Sequence, residues 1–436
     1  MEHAEEDLDS MPQAHSHGLT VPAGGLSQPG AVSGLDRWPL AQMLSLLGHP
    51  PFGFKLWNGE EVAPQGARAR SWVCLPNRRT LIKLLLNPSL NFGDLYSNGS
   101  LRIEGDFWTF LEDLQTATQR ADARANPIWR LWRREPRRNP STLGAARQNI
   151  HHHYDLGNDF YRLWLDQAAM QYTCAYYASP DMTLEQAQIA KLDHVCRKLR
   201  LKPGDAVVEA GCGWGGLARH MARRYGARVR AFNISREQVA FARERAAQEG
   251  LSDRVEYVLD DYRNIQGKYD VFVSVGMLEH VGPENYRHLS AVIKRSLKPE
   301  GRGLVHSVGS NSRTPMNQWL QRRIFPGSYV PTLREMMDIF EPHGFSVLDV
   351  ENLRLHYGLT LKAWLERFER HADEIRQRYD EGFVRAWRLY LAGCGASFNV
   401  GALQLFQVVF THAENNALPW NRRHLYETWH EGERRD

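Results

Sequence analysis

The sequence predicts an α/β protein: a doubly wound, mostly parallel sheet preceded by a smaller, mostly helical N-terminal unit. Three observations lead there. From about Leu143 onward, short apolar β-rich runs alternate with stretches of helical periodicity, the pattern of strands joined by crossover helices. The stretch "EAGCGWGG" places a glycine turn between such a run and such a helix. A length of 436 residues exceeds what one compact core commonly holds, so a main unit with an appendage is expected.

Along the chain, residues 1–34 open acidic and turn Gly/Pro/Ser/His-rich, which reads as a disordered tail without the basic start and apolar middle of a signal peptide. Residues 35–140 carry short helices, a small β element and Gly/Asn turns. Within them "PIWRLWRREPRRNP" packs five arginines and two tryptophans together. A solvated helix face or linker, a patch resting on anionic lipid headgroups, and a nucleic-acid contact are the three readings, in that order. Nothing resembles a nucleic-acid module. From residue 141 to 436, "DAVVEAGCG" is a strand, "GLARHMARRYG" a helix with Leu217, Met221 and Tyr225 on one face, and "ARVRAFNIS" a strand. "SREQVAFARERAAQEG" is a helix capped by Ser235 and closed by Gly250. "RVEYVLDD", "YDVFVSVG", "PENYRHLSAVIKRSLKPEG" and "RGLVHSVGS" continue the alternation.

Composition narrows the class. With 42% hydrophobic and 24% charged residues the chain supports a sizeable core. Its five scattered cysteines form no CxxC pair, which argues against a disulfide framework or zinc site and for the cytoplasm. The run His151, His152, His153 invites a metal, but adjacent side chains diverge and no carboxylate or cysteine set accompanies them, so none is expected. No apolar run reaches the roughly 20 residues of a membrane span. Any membrane contact is therefore expected to be peripheral, and a net charge of +4 suits an anionic surface without requiring one.

Gly211, Gly213 and Gly216 satisfy G-x-G-x-x-G, a turn that serves dinucleotides and S-adenosylmethionine alike. A dinucleotide site calls for an acidic residue about 20 positions on, where this chain has Asn233 at the end of the second strand. Glu209 before the turn, and Asp260 and Asp261 after the third strand, are better placed to meet amine, ribose or adenine donors, which favours S-adenosylmethionine. The expected cofactor set is Tyr172, Thr173, Glu209, Gly211, Gly213, Gly215, Asn233, Ser235, Gln238, Asp260, Asp261 and Tyr262.

The segments "HYDLGNDFYRLWLD", "MQYTCAYY", "EAGCGWGGLARHMA", "DDYR", "VSVGMLEHVGPENY", "LVHSVGS", "IFPGSYVPTLRE", "HYGLTLKAWLERF" and "YLAGCGASFNVGALQLFQVVF" occur in this order from about Ile150 to His412. Together they resemble the bacterial cyclopropane-fatty-acyl-phospholipid synthases. "RTLIKLLLNPSLNFGDLYSNGSLRIEGD" is similar to the N-terminal domain many of these enzymes carry. The resemblance implies a Rossmann-like class I methyltransferase fold with inserted and C-terminal helices forming the lipid site, while the Arg/Trp segment and the absence of a span lead to the expectation that the N-terminal domain helps dock the protein on anionic bilayers. It implies methylene addition from S-adenosylmethionine to a cis double bond of a membrane phospholipid, with a bound bicarbonate as base. The positions that match its bicarbonate ligands are Cys174 and Val308 through their backbones, and Glu279, His306 and Tyr357; its active-site cysteine falls on Cys394. A homodimer is compatible with it.

The residue types suit that chemistry. An alkene is a weak nucleophile, so the sulfonium methyl must be held in line and dry. The cation that follows is stabilised by aromatic faces, for which Tyr172, Tyr176, Tyr177 and Trp364 are candidates. Each site residue also has a plainer reading. Glu279 suits the first turn of a helix, His306 a hydrogen-bonded core, Tyr357 packing, and Cys394 tight packing between small residues, with no covalent step that needs its thiolate. Three functions remain open at this point: a cyclopropane synthase, a relative giving methyl- or methylene-branched acyl chains or using another acceptor, and a membrane-surface module with a vestigial cofactor fold.

Overall fold

The computed structural model describes residues 31–121 and 156–426. The tail before residue 31, the Arg/Trp segment and the histidine triplet lie outside them.

The N-terminal unit runs α1 (Gly34–Leu46), β1 (Phe52–Lys55), β2 (Glu61–Val62), β3 (Ser71–Cys74), α2 (Arg78–Leu86), α3 (Pro88–Ser97), β4 (Arg102–Glu104) and α4 (Phe107–Arg120). The strands form one sheet in the order β2-β1-β3-β4, with β1 and β3 parallel. Short polar side chains punctuate it: Asn77, Asn87 and Asp106 each accept a hydrogen bond from the backbone amide three residues on, capping α2, α3 and α4.

The larger unit runs α5 (Asn158–Arg162), α6 (Leu184–Lys198), β5 (Ala206–Ala210), α7 (Gly216–Tyr225), β6 (Arg228–Asn233), α8 (Arg236–Gln248), β7 (Val255–Leu259), β8 (Tyr269–Val275), α9 (Leu278–Val281), α10 (Tyr286–Ser296) and β9 (Leu297–Gly309). It continues through α11 (Leu333–Met336), β10 (Phe345–Asn352), α12 (Arg354–Arg370), α13 (Ala372–Arg378), α14 (Glu381–Asn399) and β11 (Gln404–His412). Its seven strands lie in the order β10-β11-β9-β8-β5-β6-β7. From β7 to β9 all neighbours are parallel, whereas β11 runs antiparallel to both β9 and β10. The doubly wound sheet expected from the sequence is present. Chain order reverses at β5, which lies between β6 and β8, and the glycine turn leaves β5 there, where open α/β sheets bind ligands.

The helices α12 and α14 pack against each other, and α14 packs against α3 and α4 of the N-terminal unit. One hydrophobic core joins Leu40, Phe52 and Phe110 to Trp164, Trp364 and Phe398. At Gly395 on α14 an added Cβ would lie 2.1 Å from the Trp108 ring of α4, so the small residue is needed for that approach. Polar ties reinforce the contact: Arg323 makes a two-pronged hydrogen bond to Asp94 at 3.0 and 2.9 Å, and Arg385 donates to the carbonyls of Tyr96 and Leu101.

Candidate active site

The glycine turn has Gly211, Gly213 and Gly215 at φ +85°, +52° and +76°, a region that side chains with a Cβ avoid. The amides of Gly211 and Cys212 both donate to the Phe232 carbonyl, pinning the turn to β6. At Gly215 a Cβ would lie 2.5 Å from the Tyr257 hydroxyl and 2.6 Å from its ring, whereas at Gly213 it would project into open space. Beside this turn a cavity of ≈ 70 Å³ is lined by Gly211, Asn233, Asp260, Asp261, Tyr262, Met277 and His280. Gly211, the Asn233 amide and the two carboxylates suit the amine, ribose and adenine donors of S-adenosylmethionine.

Other members of the expected cofactor set support that pocket from behind. Ser235 caps α8, accepting from the Gln238 amide. Gln238 Oε1 accepts from Asn233 Nδ2, which also donates to the Gly213 carbonyl. Asp261 is engaged by Arg263 at 2.7 and 3.0 Å, which makes Asp260 the more available acceptor. Glu209 is buried beneath the turn, and burial pushes its carboxyl up to about 8 despite Lys191 and Arg219 nearby. Neither Glu209 nor Gly213, Gly215, Ser235 or Gln238 lines the pocket.

A second cavity, of ≈ 640 Å³, adjoins the first and shares His280 with it. Tyr172, Thr173, Glu279, His306, Val308, Tyr357, Tyr390 and Cys394 all line it. The sheet brings the first of these together. Strand β8 ends at Val275, paired with His306 of β9, and Gly276 at φ +73° turns the chain into the four-residue α9. Glu279 does sit in the first turn of α9, as a helix-end residue would. Its carboxylate, however, turns to β9, where Oε1 accepts from the Val308 amide at 2.7 Å while Oε2 is buried without a partner. Glu279 lines the cavity, and burial pushes its carboxyl up to about 7.

His306 is 1% exposed and faces the same cavity. Burial, helped by the charges of Lys191 and Lys198, holds it down at about 3, so it is neutral. Gln407, directly opposite on β11, donates from Nε2 to His306 Nδ1 at 3.1 Å. A ring whose Nδ1 accepts carries its proton on Nε2 and presents one donor.

The structure corrects several expectations. Val308 was expected to offer its amide to the anion, but the buried carboxylate of Glu279 has taken that nearby donor. Cys174, expected to contribute through its backbone, is not among the residues lining the cavity, whereas its neighbour Thr173 is; the Cys174 thiol is buried against the carbonyls of Ala175 and Leu353. Of the four aromatic candidates only Tyr172 lines it, its hydroxyl sharing a 2.6 Å hydrogen bond with Tyr390. Trp364 is buried behind Tyr172, ring centroids 5.3 Å apart. Tyr176 stacks between His194 and His356, and the amide of Tyr177 donates to His356 Nδ1. Cys394 lines the cavity as a thiol, pushed up to about 12 by burial.

Residues missed in the sequence include Tyr390, Gln407 and Lys191. The buried Lys191 ammonium donates to Gln171 Oε1 at 2.5 Å and to Thr173 Oγ1 at 2.8 Å, and burial lowers it to about 8. Gln407 had a signal: a glutamine inside the apolar run "LFQVVF" of a strand buried at every position. Among the described residues no group of three or more ligating side chains could hold a metal.

The sequence pattern of the family described as mycolic acid cyclopropane synthetase matches residues 142–408. The chain belongs to this family. Along 396 residues the enzyme is 36% identical to a probable fatty acid methyltransferase of Pseudomonas putida, covering 87% of this chain and 97% of the relative. It is 46% identical over 268 residues to the cyclopropane-fatty-acyl-phospholipid synthase of Escherichia coli (strain K12), covering 61% of this chain and 68% of that one. The solved structure of mycolic acid cyclopropane synthase CmaA1 complexed with SAH and CTAB superimposes with a TM-score of 0.58 at 29% identity, covering 61% of this chain and 97% of that one. The enzyme is therefore S-adenosylmethionine-dependent, with the class I methyltransferase fold.

Proposed function

We propose that the enzyme transfers a methylene from S-adenosylmethionine to the cis double bond of an unsaturated acyl chain in a membrane phospholipid, closing a cyclopropane ring. The observation that carries this is the pair of adjoining cavities: a small one at the glycine turn, with Asn233, Asp260 and Asp261 in its lining, and a large one that holds Glu279 and His306. The E. coli relative is named for this activity, and CmaA1 was solved with SAH.

S-adenosylmethionine supplies the electrophilic carbon. As the alkene carbon bonds to it, the bond to sulfur breaks, and the positive charge moves onto the acyl chain. Tyr172 and Tyr390 lie in the cavity wall, and aromatic side chains there are suited to stabilising that charge. Loss of a proton from the new methyl lets its carbon close the ring. Glu279 Oε2 as acceptor, with His306 Nε2–H and the Tyr357 hydroxyl as donors, would hold a bicarbonate ion, which would supply a base. A carboxyl pushed up to about 7 gains a proton as pH falls through neutrality, and only its ionised form offers Oε2 as the acceptor this anion requires.

A second reading has its own support. The P. putida relative, matched along most of the chain, is named a fatty acid methyltransferase, and the same cation with a different fate leaves a methyl or methylene branch. Mass spectrometry of monounsaturated phospholipid vesicles incubated with enzyme and S-adenosylmethionine tests both. A gain of one CH2 at the double bond, shown by NMR to be a ring, supports the first; a branch supports the second. No gain on any lipid overturns the proposal.

Peripheral docking on anionic bilayers has support in α2. Its inner face buries Thr80, Leu81 and Leu84, and Leu84 lines the large cavity. Its outer stripe of Arg79, Ile82, Lys83 and Leu86 is exposed at i, i+3, i+4 and i+7, mixing two cations with two apolar side chains as interfacial helices do. No helix among the described residues is long and apolar enough to cross a membrane.

A further inference from the structure

The large cavity does not end at the catalytic unit. Its walls include Phe52, Val73, Leu84, Phe110 and Leu114, residues of β1, β3, α2 and α4 in the N-terminal unit. Four of these are core positions, with Phe52 and Val73 2%, Leu84 3% and Phe110 1% exposed. Protein cores are packed to near-crystalline density, and apolar space left inside one costs stability in proportion to its size. A core that keeps its own large side chains around such a space, continuous with Glu279 and His306, is shaped for an occupant.

The chemistry of the walls identifies that occupant. At the Glu279 end the cavity carries titratable and hydroxyl groups, and at the N-terminal end these aliphatic and aromatic side chains. A ligand that matches both has one reacting centre and a long hydrocarbon continuation. The matched family pattern begins at residue 142, so this part of the wall lies outside the family's shared region. The contact between the units is built to persist, through the common core, the Gly395–Trp108 approach and the Arg323–Asp94 pair.

We infer that the N-terminal unit forms a binding subsite for the hydrocarbon end of the substrate acyl chain, and so sets the acyl length the enzyme accepts. The inference rests on the lipid-modifying function proposed above, but its first test does not require turnover. A phospholipid whose unsaturated chain ends in a diazirine is photo-crosslinked to the full-length protein in vesicles. Adducts on peptides containing residues 52–114 are expected; adducts confined to residues 141–436 overturn the subsite. If the wild type labels there yet modifies no lipid, the subsite stands and the catalytic proposal falls.

The second test uses Leu114→Trp, at a half-buried position that tolerates bulk, and Val73→Phe in the core. Phospholipids with the double bond fixed relative to the ester and the distal segment lengthened are compared by kcat/KM. Turnover on the shortest chain is expected to stay within about twofold of wild type while that on the longest falls at least tenfold, with S-adenosylmethionine binding unchanged as a check on folding. Equal loss on every length from both variants overturns the inference.

Discussion

The amide of Val308 on β9 donates to Glu279 Oε1 at 2.7 Å, and the other carboxylate oxygen of Glu279 is left buried with no partner. One hydrogen bond satisfies half of a group that, ionised, wants several. The result is a carboxyl pushed up to about 7 at the exit of β8, beside a histidine kept neutral. Ionisable groups displaced in this way from their ordinary values cluster where chemistry is done.

Glu279→Gln therefore separates stability from function. Because the folded carboxyl titrates near 7 and the unfolded one near 4.5, the native state binds more protons between those values. Stability contributed by this group is full below pH 4.5 and falls as pH rises toward 7. The cost above pH 7 reaches at most about 3 kcal/mol, less where water in the cavity solvates the carboxylate. The variant is expected to raise Tm relative to wild type at pH 8, with the gain shrinking toward pH 5, while turnover drops at least 100-fold and S-adenosylmethionine affinity changes little. Calorimetry across pH and single-turnover kinetics check this; an unimpaired rate removes Glu279 from the site.

Gln407 is expected to act through His306. Its Nε2–H fixes Nδ1 as acceptor and so keeps the His306 proton on the nitrogen available to the cavity. Gln407→Glu reverses the polarity: a carboxylate there accepts from Nδ1–H and raises the histidine above its present low value. kcat is expected to fall at least tenfold and the pH profile to gain a new limb. ¹⁵N NMR of the ring reads the tautomer directly, and an Nε2–H tautomer that persists in the variant would sink the assignment.

Cys394 is expected to be dispensable for chemistry. A thiol pushed up to about 12 supplies almost no thiolate at pH 7. Cys394→Ser should keep at least a third of the turnover, and wild-type alkylation by iodoacetamide at pH 7.5 should be slower than that of a free cysteine. A loss beyond tenfold in the serine variant would restore a chemical role.

The fold was legible because its signals are local. The glycine turn, the Ser235 cap and the alternation of apolar runs each depend on neighbours in sequence, and β5 to β9 appear in the structure as strands of the expected sheet. Glu279, His306 and Tyr357 were legible through the family resemblance, and the structure places all three on one cavity. What stayed hidden depends on long-range register. That Gln407 faces His306 follows from the antiparallel insertion of β11 beside β9, which no local pattern announces. Likewise the Val308 amide meets Glu279 only because β8 and β9 are neighbours, and Tyr390 joins the cavity only because α14 packs on α12. Tyr176 and Tyr177 misled for the same reason: aromatic identity is visible in sequence, whereas the side of the wall it faces is not.

Docking through α2 carries the last prediction. Arg79 and Lys83 make no ion pair among the described residues, and each basic side chain near an anionic surface contributes about 1 kcal/mol. Replacing both by Ala is expected to weaken binding to vesicles containing anionic phospholipid about 30-fold at low salt, and to leave the weak binding to zwitterionic vesicles unchanged. Wild-type binding should fall as ionic strength rises through the physiological range, since exposed charges are screened within about 8–10 Å. Ile82→Ser with Leu86→Ser is expected to weaken binding to both vesicle types, separating insertion from attraction. Alanine at Arg133, Arg134, Arg137 and Arg138 provides the parallel arm for the Arg/Trp segment. If the α2 variants bind as wild type and the four-arginine variant does not, the docking surface lies on that segment; if neither set matters and binding is insensitive to salt, electrostatic docking by the N-terminal unit is ruled out.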